Sequence, residues 1–264
     1  MNILETALLG LTQGLTEFIP ISSSGHLVVL QGIFLGASDH LFLEFINIGT
    51  LLALIVFFWR RIVTILRDVL VNKNSVLARN ILLTAIPAGV IGFLMSDFIN
   101  SSFFFGSVVV VTTSLAIVGI VMIILEKLPK ATSVGSGEKL SSGRAFAIGL
   151  VQVLALIPGV SRSGSTIIAG RLAGLDTAQA AEYSFLASLP IMLGVTLKIF
   201  IKPGDQTYFF DHMTMLLIGN LVAFVAGILA IGFLMKYLSK HGLSLFGWYR
   251  VGLAAVLTVY ILIQ

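Results

Sequence analysis

Residues 13–26, QGLTEFIPISSSGH, place a carboxylate, three consecutive serines and a histidine in an otherwise apolar chain. Gln13 and Glu17 are four residues apart, so they share one face of a helix that Pro20 ends. The serines follow as a turn, and the next ten residues, LVVLQGIFLG, are apolar again. The stretch therefore predicts an interrupted helix that carries its polar groups at the break.

The composition of the chain predicts an integral membrane protein. Of the 264 residues, 57% are hydrophobic and 11% are charged, whereas about a quarter of the residues in soluble domains are charged. Apolar runs of about 20 residues match a hydrocarbon core roughly 30 Å thick, which indicates spanning helices. The absence of cysteine excludes disulfides and thiol catalysis. We expect a retained N-terminus, because the first residues carry Glu5 instead of a basic signal region.

Charge placement predicts the topology. Six segments predict spanning helices: 41–59, 79–97, 103–125, 182–201, 213–235 and 249–264. Twelve of the 16 basic residues fall in three loops: 60–79, 126–144 and 236–250. The other connections, 98–102 and 202–212, carry Lys202 alone. The positive-inside rule places the three basic loops in the cytoplasm and both termini outside, with an amphipathic helix at 62–71 on the inner surface. The basic net charge therefore reflects topology, and no nucleic-acid partner is expected.

Residues 1–40 and 145–175 do not fit these spans and must each enter and leave on one face, as re-entrant hairpins. A shift of 139 residues aligns them without a gap, placing Ser22 on Ser161. Three spans separate the copies, so the repeat is inverted and its broken helices meet near the midplane. We predict an all-α polytopic membrane protein, an inverted-topology repeat with six transmembrane helices and two re-entrant helical hairpins. It forms one domain, 1–264, made of repeat 1 at about 1–125, a cytoplasmic linker at about 126–144 and repeat 2 at about 145–264.

The second hairpin breaks in residues 158–166, PGVSRSGST. Hydroxyls, glycine and backbone N–H groups without an intrahelical acceptor, all at the start of a helix, are typical of an anion site. Arg162 at membrane depth indicates a ligand or partner, and its planar fork suits phosphate. With Glu17, Ser23 and His26 from the first hairpin, the pattern supplies a nucleophile, an acid or base and a phosphate clamp.

Simpler interpretations exist for each feature alone. A serine-rich turn commonly caps a helix, and a single intramembrane charge commonly forms a structural ion pair. The coincidence of both at repeat-related positions favours a site. Glu44 and Glu182, also repeat-related, fit an interfacial or a pocket-supporting role equally well. The other histidines are expected at the membrane interface: His40, His212 and His241.

QGLTEFIPISSSGH and PGVSRSGST resemble the two signature motifs of the undecaprenyl-diphosphate phosphatase family, often named for bacitracin resistance, and the resemblance spans essentially the whole chain. It implies removal of the terminal phosphate from a C55 polyprenyl diphosphate at the plasma membrane, which regenerates the lipid carrier for peptidoglycan precursors. It implies a divalent cation, Mg²⁺ or Ca²⁺, between Glu17 and the diphosphate. Gln13 stands where other members carry Glu, so it supports the site without a second metal-binding carboxylate.

The resemblance also assigns residues to roles. The catalytic set is Glu17, Ser23, His26 and Arg162. The phosphate-binding set is Ser22, Ser24, Gly25, Ser161, Ser163, Gly164 and Thr166. In the preferred mechanism Ser23 attacks the terminal phosphorus, His26 and Glu17 manage the proton, and Arg162 stabilises the phosphoryl oxygens.

Several alternatives stay open at this point. His26 is the other candidate nucleophile, through a phosphohistidine. An inverted repeat with broken helices also describes transporters, so passage of an anion or flipping of an anionic lipid competes with hydrolysis. The expected partners are the polyprenyl diphosphate and membrane lipid, and a homodimer is open. The active site is expected to open to the extracytoplasmic side.

Overall fold

The computed structural model describes residues 2–32, 39–128, 134–201 and 203–263. Over these ranges the regular structure is helical and contains no strand, which confirms the all-helical prediction. The predictions on Lys130, on Lys202 and on the last part of the 1–40 hairpin lie outside the described residues, as does the side chain of His40.

The helices follow the repeat. The first half contains α1 Ile3–Phe18, α2 Ser23–Leu30, α3 His40–Phe57, α4 Trp59–Leu70, α5 Val76–Leu94, α6 Ser96–Ser101, α7 Phe103–Gly106 and α8 Val108–Lys127. The second half contains α9 Ser142–Val153, α10 Arg162–Leu172, α11 Thr177–Ile201, α12 Pro203–Asp211, α13 Met213–Leu238 and α14 Ser244–Ile263. α1 and α9 begin 139 residues apart, and so do α2 and α10, which is the shift that aligns the two interrupted segments.

Five of the described helices are long and apolar enough to cross a membrane: α5, α8, α11, α13 and α14. A sixth segment consists of α3 and α4, which bend by 71° where they meet. α4 exposes Val63, Leu66 and Leu70, and the spacing of these residues places them on one side of the helix. α4 thus has the amphipathic character predicted for 62–71, although it begins at Trp59.

Each interrupted segment packs on a helix of the other half, α1 on α13 and α9 on α5. Glycines permit the close approach. A Cβ added at Gly14 would lie 2.5 Å from the carbonyl oxygen of Ala223, and one at Gly149 would lie 2.6 Å from that of Thr84. This reciprocal packing joins the two halves, and the largest hydrophobic cluster contains residues of both.

Ion pairs concentrate at the end of the molecule that carries the basic loops. Arg61 of α4 bonds Glu138 of the linker at 2.9 Å and Glu182 of α11 at 3.0 Å. The carboxylate of Glu126 accepts hydrogen bonds from Arg171 and from the Leu243 amide. Glu182 therefore belongs to this surface network, whereas its repeat counterpart Glu44 lines the cavity described below.

Candidate active site

A cavity of about 330 Å³ lies where the breaks of the two interrupted segments meet. This volume lies within the range of small-molecule sites. Its polar lining comprises Gln13, Glu17, Ser23, Ser24, Glu44, Asn47, Ser161 and Arg162. Its apolar lining includes Leu27, Leu43, Ile99, Phe105 and Leu156. The cavity therefore offers a charged region and an adjoining hydrocarbon surface.

The residues that cap the two helix starts at the cavity have nearly the same positive φ. Ser22 has φ 76° and Ser161 has φ 77°, a region that non-glycine residues rarely adopt. The Ser22 Oγ accepts from the Gly25 amide at 3.2 Å, and the Ser161 Oγ accepts from the Gly164 amide at 3.1 Å. Such strained serines cost about 1–3 kcal/mol each and cluster at functional sites. Beyond these caps, the first N–H groups of α2 and α10 have no intrahelical acceptor, which is the backbone pattern of an anion site.

The Glu17 carboxylate is the centre of the polar network. Its Oε2 accepts from the Ser23 hydroxyl at 2.6 Å, and its Oε1 accepts from the Arg162 guanidinium. The Gln13 amide donates to Glu17 at 3.1 Å and to Asn47 at 2.7 Å. A hydroxyl, a carboxylate within hydrogen-bond reach and a group that orients the carboxylate form the pattern of an activated nucleophile.

Shielding from water strengthens this network. The side chains of Glu17 and Arg162 are 11% and 19% exposed. Charges so placed interact more strongly than they would at a fully hydrated surface. The pair therefore fixes the carboxylate with respect to Ser23 before any ligand binds.

Some residues of the predicted set do not line the cavity. The His26 ring lies against α14, with Nδ1 bonded to the Ser22 carbonyl at 2.7 Å and Nε2 bonded to the Tyr249 hydroxyl at 2.8 Å. Since a carbonyl only accepts, Nδ1 carries the proton. Thr166 is fully buried and bonds the Arg162 carbonyl at 2.8 Å. The others away from the cavity lining are Ser22, Gly25, Ser163 and Gly164, all buried at the two turns.

Three residues at or next to the site were missed by the sequence analysis. Asn47 lines the cavity, and Tyr249 bonds His26. Arg250 is fully buried and donates to the carbonyls of Pro20 and Val160, each at 3.1 Å. The available signal for Arg250 was a charge at the very start of a predicted span, where a buried cation is expensive.

The donors in the cavity fit a hard cation held jointly with a phosphate. Glu17 and Glu44 supply carboxylates, a ligand type that Mg²⁺ and Ca²⁺ accept, whereas Gln13 turns its amide N–H groups to Glu17 and to the Asn47 oxygen. No group of three or more His, Cys, Asp or Glu placed to hold a metal ion occurs in the described ranges. A cation here would therefore take its remaining ligands from water or from the oxygens of a bound diphosphate.

The fold and the site define a class: a helical membrane protein in which two interrupted helices bring a serine–carboxylate pair and an arginine into one polar cavity. The chain belongs to the family of the bacitracin resistance protein BacA, whose model matches residues 6–256.

Relatives match this chain over nearly its whole length. It is 38% identical to undecaprenyl-diphosphatase 1 of Clostridioides difficile, over 98% of this chain and 96% of the relative. It is 36% identical to the undecaprenyl-diphosphatase of Parvibaculum lavamentivorans, over 98% and 97%. It is 35% identical to the undecaprenyl-diphosphatase of Aquifex aeolicus, over 98% of each chain.

Proposed function

We propose that this chain is an undecaprenyl-diphosphatase, which hydrolyses a C55 polyprenyl diphosphate to the monophosphate and inorganic phosphate. Relatives that match this chain over nearly their full length carry this name. The single observation that carries the proposal is the Glu17 carboxylate, bonded at once to the Ser23 hydroxyl and to the Arg162 guanidinium in one cavity. The reaction returns the lipid carrier to the synthesis of peptidoglycan and other cell-wall polymers, and this recycling confers bacitracin resistance.

The first chemical step is attack of the Ser23 Oγ on the terminal phosphorus, while Glu17 takes the hydroxyl proton. A bond forms between Ser23 and phosphorus, the bond from phosphorus to the bridging oxygen breaks, and the polyprenyl monophosphate leaves. Glu17 passes this proton to the leaving monophosphate and is then free to act again as the base when water attacks the phosphoserine. As the bond between Ser23 and phosphorus breaks, Glu17 returns the water proton to the Ser23 Oγ. Inorganic phosphate departs and Ser23 is restored.

Arg162 has two partners during this cycle. In the free protein it binds Glu17. A terminal phosphoryl group offers its planar fork a bidentate alternative, which leaves the carboxylate free to accept the Ser23 proton. Arg162 and the N–H groups at the starts of α2 and α10 then stabilise the charge on the phosphoryl oxygens in the transition state.

His26 acts on the first turn in this proposal. Its Nδ1–H bond to the Ser22 carbonyl holds the residue that caps α2, and the next residue is Ser23. The competing role, in which His26 is the nucleophile, would require the ring to leave Tyr249 and enter the cavity. The observed direction of the ring supports the positioning role.

A bound divalent cation would be held by Glu17 and Glu44 and would neutralise charge on the diphosphate. Glu44 faces the cavity with its neighbour Leu43, near the start of α3. These residues supply the hard oxygen ligands, and Gln13 and Asn47 orient them from the same wall.

The cavity opens to the extracytoplasmic side of the inner membrane. Its lining includes Ile99 and Phe105, from the connection between α5 and α8 that charge placement puts outside. The cytoplasmic loops carry the ion pairs of Arg61 and Arg171 at the other end. The adjoining apolar lining suits the first isoprenoid units, while the rest of the tail stays in lipid.

Transport has less support than hydrolysis. Phe18, the residue after Glu17, is fully buried and packs edge-on against Phe185 at 5.5 Å between ring centroids. Phe185 also contacts Phe58 at 6.1 Å. These packed rings follow Glu17 directly in the fold and lie outside the cavity lining, whereas hydrolysis needs access to Glu17 from one side only.

Phosphate release from polyprenyl diphosphate by the detergent-solubilised protein tests the proposal. We expect release by the wild type and losses of about 10²–10⁴-fold in Glu17→Gln, Ser23→Ala and Arg162→Ala. His26→Ala is measured in the same assay alongside these three variants. The matched control is Glu182→Gln, since Glu182 also pairs with an arginine but lies outside the cavity lining. The proposal fails if the wild type releases no phosphate, or if the three cavity variants match the control.

A further inference from the structure

Arg250 connects the two helix breaks from a third element, α14. Its side chain is fully buried. Its Nη1 donates to the carbonyl of Pro20 in the first break, and its Nη2 donates to the carbonyls of Gly159 and Val160 in the second. One guanidinium therefore bonds both segments that deliver the cavity residues.

The charge of Arg250 is balanced by backbone dipoles. The arginines in the ion pairs of the described residues are Arg61, Arg162 and Arg171, so Arg250 has no carboxylate partner there. Its acceptors are backbone carbonyls within the two breaks, one between α1 and α2 and two between the 3₁₀ turn Leu154–Leu156 and α10, and hydrogen bonds to these carbonyls offset part of the cost of burying the charge. Carbonyls of unwound membrane helices coordinate sodium ions in inverted-repeat transporters. Here the guanidinium of Arg250 bonds carbonyls of this kind.

The packing of α14 on α8 fixes the place of this side chain. A Cβ added at Gly247 would lie 2.7 Å from the Gly119 carbonyl oxygen, and one at Gly119 would lie 3.0 Å from the Arg250 Cβ. The two helices thus cross in close contact one turn from Arg250. The guanidinium reaches the breaks from a rigid crossing.

We propose that Arg250 is a positioning residue for the phosphatase reaction, which makes this inference dependent on the proposed function. By bonding both breaks it sets the distance between Ser23 and Glu17 on one segment and Arg162 on the other. The planar guanidinium is essential to this role, because its N–H donors point in fixed directions towards both breaks. A lysine ammonium is a point charge and does not reproduce this arrangement of donors.

Kinetics on Arg250→Met and Arg250→Lys test the role in catalysis. A shift of about 1 Å between catalytic groups costs about 10²-fold in rate, so we expect the kcat of Arg250→Met to fall by about that factor while KM changes little. Arg250→Lys should fall between Arg250→Met and the wild type. The control is Arg171→Met, which removes another buried arginine far from the cavity lining. It should lower thermal stability and leave kcat per folded protein unchanged.

A distance measurement tests the positioning without any activity. The chain has no cysteine, so Leu15→Cys with Leu154→Cys gives one spin-label pair on repeat-related, exposed positions of the two segments, 38% and 54% exposed. We expect a narrow distance distribution in the wild-type background and in Arg171→Met. Arg250→Met should broaden or lengthen it, and Arg250→Lys should do so to a smaller extent.

The two measurements separate the two claims. An unchanged distribution together with wild-type kcat in Arg250→Met overturns the positioning role. If that variant does not fold, Arg250→Lys decides, and wild-type values in both measurements overturn it. If the wild type releases no phosphate, the proposed function fails, while the distance distributions still show whether Arg250 holds the breaks together.

Discussion

The direction of a single side chain separates the two mechanisms open to His26. Its Nδ1 bonds the Ser22 carbonyl, and its Nε2 bonds Tyr249 on α14. An imidazole that positions a turn needs its N–H, whereas a nucleophile or a base needs a lone pair directed at substrate or Ser23. Substitutions that keep the N–H and remove the lone pair therefore distinguish the roles.

We predict that His26→Asn retains at least about tenfold more activity than His26→Ala, because an asparagine amide supplies an N–H donor and is not a nucleophile. Phosphate release is the measurement, with circular dichroism as a check on folding. Equal and complete loss in both variants would contradict the positioning role and favour a phosphohistidine.

Candidate site residues could be predicted from the sequence where their chemical role is evident within one short motif. Glu17, Ser23 and Arg162 stand out because charged or paired polar groups at membrane depth are expensive. Arg250 was assigned to a basic loop because its acceptors are carbonyls 90 or more residues away in sequence. Thr166 was assigned to phosphate, yet it bonds Ser184 and the Arg162 carbonyl, and no pattern in a single sequence distinguishes a buried hydroxyl from an exposed one.

At the scale of elements, glycine contacts decide how closely the interrupted segments approach their partner helices. Gly149 lies against the Thr84 carbonyl, whereas Gly143 in the same helix has no neighbour within 4 Å of an added Cβ. The two positions share α9, with Gly143 in its first turn and Gly149 in its interior.

We predict that Gly149→Ala lowers the thermal midpoint and the activity, since its Cβ meets backbone that has no room to move. Gly143→Ala should hold or slightly raise the midpoint, because its Cβ meets no neighbour within 4 Å and alanine is a better helix former than glycine. A thermal melt of the two variants in the same detergent checks this. Equal midpoints would contradict close packing between α9 and α5.

On the end of the molecule opposite the basic loops, α12 is tied to α3. Tyr208 donates a hydrogen bond to Asp39, the residue that caps α3. Burial first, and then the Asp39 carboxylate, raises the pKa of Tyr208 above its ordinary value of 10.0. A tyrosine whose pKa is higher in the folded protein than in the unfolded chain stabilises the fold at pH values below its pKa in the unfolded chain. This stabilisation declines as the pH rises above that pKa.

We predict that the wild type has a higher thermal midpoint than Tyr208→Phe from pH 7 to 9. The difference should shrink above about pH 10, where tyrosine ionises in the unfolded chain. Melts of both proteins across this range test the link. A difference that stays constant to pH 11 would contradict a contribution from the Tyr208 proton.

The positions of breaks and caps were predictable, while the starts of three spans were not. Pro20 and Pro158 interrupt helices at any depth. α8 begins at Val108, after the predicted start at 103, because the short helix α7 precedes it. α11 and α14 begin at Thr177 and Ser244, before the predicted starts at 182 and 249. The apolar spans were predicted to begin near Glu182 and Arg250. Both helices instead contain these charged residues, because each charged side chain has a partner on another element.

At the scale of the whole molecule, the main question is the side of the membrane to which the cavity opens. Charge placement predicts that the basic loops lie inside, and the ion pairs of those loops lie away from the cavity lining. Ser24 is exposed and lines the cavity, whereas Val71, 66% exposed, ends α4 beside a basic loop.

We predict that Ser24→Cys reacts with a membrane-impermeant maleimide in intact cells, and that Val71→Cys reacts only after the inner face is exposed. The absence of native cysteine makes each label unique. Labelling of Ser24→Cys solely from the cytoplasmic face would contradict an outward-opening site.

The claim that the two interrupted segments form one phosphatase site rests on Ser23 as the group that takes the phosphate. Quenching the reaction of wild-type protein with polyprenyl diphosphate, followed by peptide mass spectrometry, tests this claim most directly. We predict an acid-stable phosphoryl group on Ser23, absent in Ser23→Ala and absent without substrate. An acid-labile phosphoryl group on His26 would contradict the account, as would phosphate release with no phosphoryl group on Ser23 under quench conditions that preserve phosphoserine.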